Sequence, residues 1–206
     1  MEQFIYLIDD DQAIRCSLSS LLATMGWQTL AYENVLDFQQ QMQAPQALSG
    51  CLLLDIRMPG KSGLMLLEEW QRQGLDIPVI IMTGHGNIEL CRRAFKNGAF
   101  EFLTKPIDAD LLIETVSAAL EHQRLLQSQR AENAELKEKL STLSAREYEI
   151  TLLIMAGKSS KEIAHDLALS PRTVEAHRAN LFAKLEINSL VKLITIYGGL
   201  LTKNMD

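Results

Sequence analysis

Cysteine is scarce in this 206-residue chain, and Cys16, Cys51 and Cys91 stand far apart. They cannot form the disulfide framework that holds small secreted domains. Their apolar or helical surroundings read as buried free thiols, and a reducing cytoplasm is the expected compartment. Long apolar runs are missing too, so no segment approaches the roughly 20 residues of a membrane span. The first residues, MEQFIYLIDDD, have no basic stretch and run into Asp9, Asp10 and Asp11. That is not the pattern of a signal peptide. Histidine is sparse and scattered: His85, His122, His165 and His177 give no metal-ligand spacing. His85 reads as a polar loop residue.

What is present is ordinary for a soluble globular protein, with 47% hydrophobic and 22% charged residues. The length suits two domains. The net charge of −6 is unevenly spread. Residues 1–121 hold 8 Lys and Arg against 16 Asp and Glu, whereas residues 122–206 hold 12 against 10. An acidic front and a mildly basic back point to two domains with different partners. The basic excess permits nucleic-acid binding without arguing strongly for it.

The front half alternates two periods. FIYLI (4–8), WQTLAY (27–32), CLLLD (51–55), PVIIMT (78–83) and FEFLT (100–104) are strand-like. The first, third and fourth are almost wholly apolar, as suits parallel strands buried on both faces. Amphipathic helix-length segments lie between them, at about 12–24, 34–43, 63–73 and 87–97, with another from about 107. This order predicts a doubly wound α/β fold around a five-stranded parallel sheet. From 121 to 141 the pattern changes to a helix-forming stretch without Gly or Pro, a solvated helical linker. Leu112, Ala119, Leu126 and Leu140 fall on one seven-residue series, interrupted by Asn133, so a coiled-coil dimer is one alternative here.

In a parallel sheet the carboxyl ends of the strands share one edge. Here that edge would gather Asp9, Asp10 and Asp11, then Asp55, then Thr83, then Lys105. Clustered carboxylates repel one another unless a divalent cation sits among them, and an all-oxygen set favours Mg²⁺. Thr83 and Lys105 carry groups that bind phosphoryl oxygens. Asp55 would then be a nucleophile toward a phosphoryl donor. A single Asp at a strand end is usually a loop cap. Four strand-end signals in this order are a different matter.

IDDD, LLLDIRMPGKSG, IIMTGHG and FEFLTKP, in order and at these spacings, resemble the receiver domain of bacterial two-component response regulators. The resemblance implies Asp55 as phospho-acceptor. It places Asp9 and Asp10 around Mg²⁺, with Asp10 the direct ligand, and adds the backbone carbonyl of Arg57. It implies Thr83 as the switch hydroxyl, Lys105 as the phosphate-binding lysine and Phe102 as the aromatic that changes rotamer. It assigns nothing to Asp11.

The back half reads as four short helices, at about 145–156, 160–167, 171–185 and 189–198. SARE (144–147) and SSKE (159–162) have capping-box spacing, and SPRT (170–173) puts Ser at the cap and Pro at the first turn. YGGLL (197–201) should end or fray the last helix. Ile163, Ala164, Leu167, Leu169, Val174, Leu181 and Leu185 can form a shared core, leaving a capped, basic helix facing outward. Such a helix either enters a major groove or is simply solvated. LSAREYEI, GKSSKEIA and LSPRTVEAHRANLFAKL resemble the LuxR/NarL-type helix-turn-helix, and the last is similar to the FixJ-like subfamily. By this resemblance 171–185 is the recognition helix. Thr173, Glu175 and Ala176 would lie toward bases, Arg172, Arg178 and Lys184 on phosphates, and Lys161 on the backbone. His177 would contact DNA or pack.

The expected organisation is a receiver at 1–120, a helical linker at 121–141 and an all-α four-helix DNA-binding domain at 142–206. The expected function is a cytoplasmic, phosphorylation-dependent transcription regulator, not an enzyme. Its implied partners are a sensor histidine kinase, promoter DNA, RNA polymerase and a second copy on phosphorylation. Two rivals remain. A haloacid-dehalogenase-type phosphatase needs a second Asp two residues after the nucleophile, where this chain has Arg57. A phosphorelay or protein-interaction adaptor would have a helical tail that does not bind DNA.

Overall fold

The structure, a computed structural model, describes residues 3–42, 48–84 and 88–202. His85 lies outside the described residues. The chain forms two compact units, Met1–Ser128 and Gln129–Asp206.

The first unit contains β1 (Phe4–Ile8), α1 (Gln12–Thr24), β2 (Gln28–Tyr32), α2 (Val35–Gln41), β3 (Gly50–Asp55), α3 (Gly63–Gln73), β4 (Val79–Thr83), α4 (Ile88–Lys96) and β5 (Glu101–Thr104). The helix α5 (Ala109–Ser141) follows. The five strands pair in parallel in the order β2-β1-β3-β4-β5. The order explains the composition of the strands. The interior strands β1, β3 and β4 are almost continuously buried, whereas the edge strands β2 and β5 are more polar and more exposed.

Side-chain alternation along the strands feeds two cores. Tyr6, Ile8, Leu52, Leu54 and Ile81 pack on one face with Phe38 of α2, Leu66 and Trp70 of α3 and Ala94 of α4. Ile5, Leu7, Leu53, Ile80 and Met82 pack on the other with Leu18 and Leu22 of α1 and Leu112, Val116 and Ala119 of α5. Cys51 belongs to this second core, and burial pushes its thiol pKa up to about 12. The buried-thiol expectation fails for Cys16, which is exposed, and holds only in part for Cys91, which is half-buried. Leu18 and Leu22 put one face of α1 on the sheet, and Cys16, two residues earlier, falls on the other.

Beyond the first unit, α5 continues to Ser141. Leu136 and Leu140, expected on a solvated linker, instead pack against the core of the second unit. Leu112 and Ala119 are buried on the sheet, so the seven-residue series is largely consumed within each unit rather than left as a free seam. The second unit adds α6 (Ala145–Met155), α7 (Ser160–Asp166), α8 (Pro171–Lys184) and α9 (Leu190–Lys192). The last runs through a π-helical stretch (Leu193–Tyr197) into α10 (Gly198–Thr202). The Gly-Gly pair, expected to end or fray this helix, instead stands inside it, and the helix runs on to Thr202. Tyr197 and Leu201 are buried, and the Tyr197 hydroxyl donates to the Leu185 carbonyl at 3.0 Å. Packing outweighs the roughly 1 kcal/mol cost of each helical Gly. Both capping boxes form, on Ser144 with Glu147 and on Ser159 with Glu162.

Candidate functional site

The reversal of strand order between β1 and β3 opens a crevice at the carboxyl edge of the sheet. β1 delivers Asp9 and Asp10 there, β3 delivers Asp55, β4 delivers Thr83, and the turn after β5 delivers Lys105. Asp9 is fully buried, Asp55 nearly so, and Asp10 is exposed. The Lys105 ammonium donates to Asp9 Oδ2 at 2.6 Å and to Asp55 Oδ2 at 2.6 Å. Lys105 itself is set by its backbone N–H, which donates to the Thr83 carbonyl at 2.8 Å. Thr83 is fully buried.

The remaining carboxylate lone pairs are partly used. Asp9 Oδ1 accepts from the Asp11 N–H at 3.0 Å, and Asp55 Oδ1 accepts from the Arg57 N–H at 3.0 Å. Burial pushes the Asp9 carboxyl above its usual range, although the hydrogen bond from Lys105 opposes this. Burial also acts to lower Lys105, but its bonds to Asp55 and Asp9 outweigh that and hold it above the ordinary lysine range. Lys105 therefore stays a cation across the physiological range.

Carboxylate oxygens of Asp9, Asp10 and Asp55 lie within 4.8 Å of one another. Three carboxylates gather here and only two of them bond the Lys105 ammonium, so this hard-oxygen set fits a divalent cation of the Mg²⁺ kind. Asp11, which the sequence leaves without a role, caps α1: its carboxylate accepts from the N–H groups of Ala13 and Ile14 at 2.8 and 3.4 Å. Arg15 was not foreseen. Its guanidinium donates to the Asp9 carbonyl at 2.6 Å and fastens the loop that carries the acids. Phe102 is half-buried and packs against the first core.

In the second unit, Ile163, Ala164, Val174, Leu181 and Leu185 are buried as expected, with Leu167 and Leu169 packed against them. α8 begins at the Ser170 cap with Pro171 in its first turn. Arg172, Thr173, Glu175 and Ala176 are exposed along it, and Lys161 is exposed at the start of α7. His177 and Arg178 are half-buried. Arg178 donates to Ser160 Oγ at 2.7 Å, and the same hydroxyl is bonded to Glu175, so α7 and α8 share a small polar junction. Ser160 was missed because its partners stand 15 and 18 residues away. Lys184, expected on a DNA phosphate, is exposed yet bonded within the protein: it donates to Glu147 Oε2 at 2.6 Å and to the Thr142 carbonyl at 3.1 Å.

A doubly wound sheet with buried acids and a lysine at its switch point, followed by a helix-turn-helix, defines a response regulator whose output lies on the same chain. The comparisons agree. Residues 5–117 match the response regulator receiver domain, and residues 141–197 match the bacterial regulatory proteins of the luxR family. The chain is 37% identical to the transcriptional regulatory protein FixJ of Bradyrhizobium diazoefficiens over 93% of each chain. It is 34% identical to the response regulator TodT of Pseudomonas putida, over 93% of this chain and 84% of that one. Among solved structures, the response regulator StyR matches with a TM-score of 0.85 and 32% identity over 97% of this chain and 100% of that chain. Full-length FixJ from B. japonicum matches with a TM-score of 0.58 and 35% identity over 96% of each. The chain belongs to the FixJ-like response regulators, in which a receiver domain and a LuxR-type DNA-binding domain regulate transcription together. Among the described residues no helix is long and apolar enough to cross a membrane.

Proposed function

We propose that Asp55 takes a phosphoryl group from a phosphohistidine of a sensor kinase and that this drives dimerisation and promoter binding. The observation that carries the reading is Lys105, held at 2.6 Å from both Asp9 and Asp55. In the transfer, an Asp55 carboxylate oxygen forms the new bond to phosphorus, the phosphorus–nitrogen bond breaks, and the kinase imidazole leaves. Asp9, Asp10, Asp55 and the Arg57 carbonyl would hold Mg²⁺, which when bound neutralises charge on the transferring phosphoryl oxygens. Lys105 then turns one of its hydrogen bonds to a phosphoryl oxygen, and the Thr83 hydroxyl donates to another. Phe102 rotates into the space that Thr83 leaves. The switch alters the face formed by α4, β5 and the start of α5, which then pairs with a second copy.

In the dimer, two α8 helices read a two-fold operator and recruit RNA polymerase. Thr173, Glu175 and Ala176 face bases, with Glu175 suited to a cytosine amine. Arg172, Lys161 and Arg178 hold phosphates, with His177 beside them. Intact-mass detection of phosphate after incubation with a small-molecule phosphodonor, for wild type and Asp55→Asn, tests the acceptor. Labelling of both chains would reject Asp55.

A further inference from the structure

Three consecutive residues secure the far end of α8. Lys184 donates to Glu147 and to the Thr142 carbonyl. Leu185 is buried, and its carbonyl accepts from Tyr197. Glu186 pairs with Lys139 at 2.7 Å. Lys139 lies on α5, Glu147 on α6 and Tyr197 at the end of the π-helical stretch, so three separate segments hold the end of α8. Glu147 is the most committed partner. Its side chain is 6% exposed, and the same Oε2 that takes Lys184 also accepts from the Ser144 N–H at 2.8 Å. The bond from Lys184, then that from Ser144, holds the Glu147 carboxyl below its usual range.

The base-facing residues lie at the other end of the same helix. Positions 172–176 stand 8 to 12 residues before Lys184, about 12–18 Å along the axis. A small tilt at the Lys184 end therefore displaces the reading surface, while leaving its chemistry unchanged. A lysine reaching for a phosphate would have to leave a buried carboxylate that, among the described residues, has no other ion-pair partner, a costly exchange.

We infer that Lys184 is a positioning residue for operator recognition: it acts through Glu147 and Thr142 to set the recognition helix, and it does not contact DNA. This assignment presupposes the DNA-binding role proposed above. Its consequence is opposite to that of a phosphate contact at one residue, Glu147. If Lys184 bound phosphate, Glu147→Gln would free the ammonium and tighten DNA binding. If Lys184 positions the helix, Glu147→Gln weakens binding, although glutamine retains the acceptor for the Ser144 cap.

The test uses the full chain and a duplex enriched by the wild-type protein from a random library, with a random-sequence duplex as reference. Affinity is measured across salt concentrations for wild type, Lys184→Gln, Lys184→Arg and Glu147→Gln. The expected result is a loss of about tenfold on the enriched duplex for Lys184→Gln and Glu147→Gln. Binding to the random duplex and the salt slope should stay unchanged, and Lys184→Arg should restore discrimination. A fall in salt slope of about one for Lys184→Gln, with tighter binding by Glu147→Gln, overturns the inference in favour of a phosphate contact. Equal affinities for all four chains overturn it as well. Should Lys184→Gln fail to fold, the direction of the Glu147→Gln effect decides alone. Failure of the wild type to enrich any duplex rejects the DNA-binding role itself, a distinguishable outcome.

Discussion

Gly63 lies against the backbone of Asp55 so closely that a Cβ at position 63 would stand 2.2 Å from the Asp55 carbonyl oxygen. Ser62 caps α3 immediately before it, and the Gly63 N–H donates to the Ile56 carbonyl at 3.2 Å. The start of α3 is thus seated directly on the strand end that carries Asp55. Gly63→Ala must push that strand end aside. Phosphate uptake at Asp55 should fall at least about tenfold, the scale of a misplaced reacting group. Time-resolved intact-mass measurements check it, and wild-type uptake in this variant would show that the close approach does not matter.

Asp9, proposed above as a metal ligand, is a residue that the fold tolerates rather than exploits. Its carboxyl is held above the ordinary range by burial. A folded value above the unfolded one means that its contribution to stability is present at low pH and lost as pH rises through the folded value. At neutral pH the charged, buried group is a burden. Asp9→Asn should raise the melting temperature of the first unit by about 2–4 °C, corresponding to ~1 kcal/mol in a protein of this size. The same change should reduce metal-dependent phosphate uptake. Melting curves followed by the tryptophans suit this, since Trp27 and Trp70 both lie in the first unit.

Acid acts in the opposite sense on the second unit. Glu147 is held below its usual range by Lys184 and Ser144. A depressed folded value gives stability that is complete above the unfolded value of 4.5 and is lost as pH falls through the folded one. Glu186, paired with Lys139, shifts in the same direction from its surface position. Acidification below pH 4.5 should therefore weaken the second unit, seen as a loss of helical circular dichroism. Glu147→Gln should flatten that part of the profile. Parallel circular dichroism and fluorescence titrations separate the two units.

Arg172 is exposed in the first turn of α8. Arg172→Ala should weaken binding to the enriched and random duplexes alike and lower the salt slope by about one. An unchanged slope would remove Arg172 from the phosphate contacts.

Most of the sheet could be read from the chain because its three interior strands are apolar on both faces, so their extents follow from composition. Helix starts were equally legible, since Ser144, Ser159 and Ser170 cap through local bonds spanning three residues. The site residues at the strand ends were legible only together, through their order. What escaped is long-range or depends on packing. The Arg15 bond to Asp9 is a side chain meeting a backbone carbonyl, which leaves no pairing signal. Lys184 looked like a surface cation because its partner Glu147 stands 37 residues away and already had a sufficient explanation as a cap. The helix beyond Gly198 survives because Tyr197 and Leu201 are buried, a tertiary effect that overrides a local breaker.

The central claim is that phosphorylation at Asp55 assembles the regulator. Light scattering of the full chain with Mg²⁺, with and without beryllofluoride as a phosphoryl mimic, addresses it most directly when wild type and Asp55→Asn are compared. The account predicts a monomer-to-dimer shift in wild type only. An equal shift in both chains, or none in either, would contradict it.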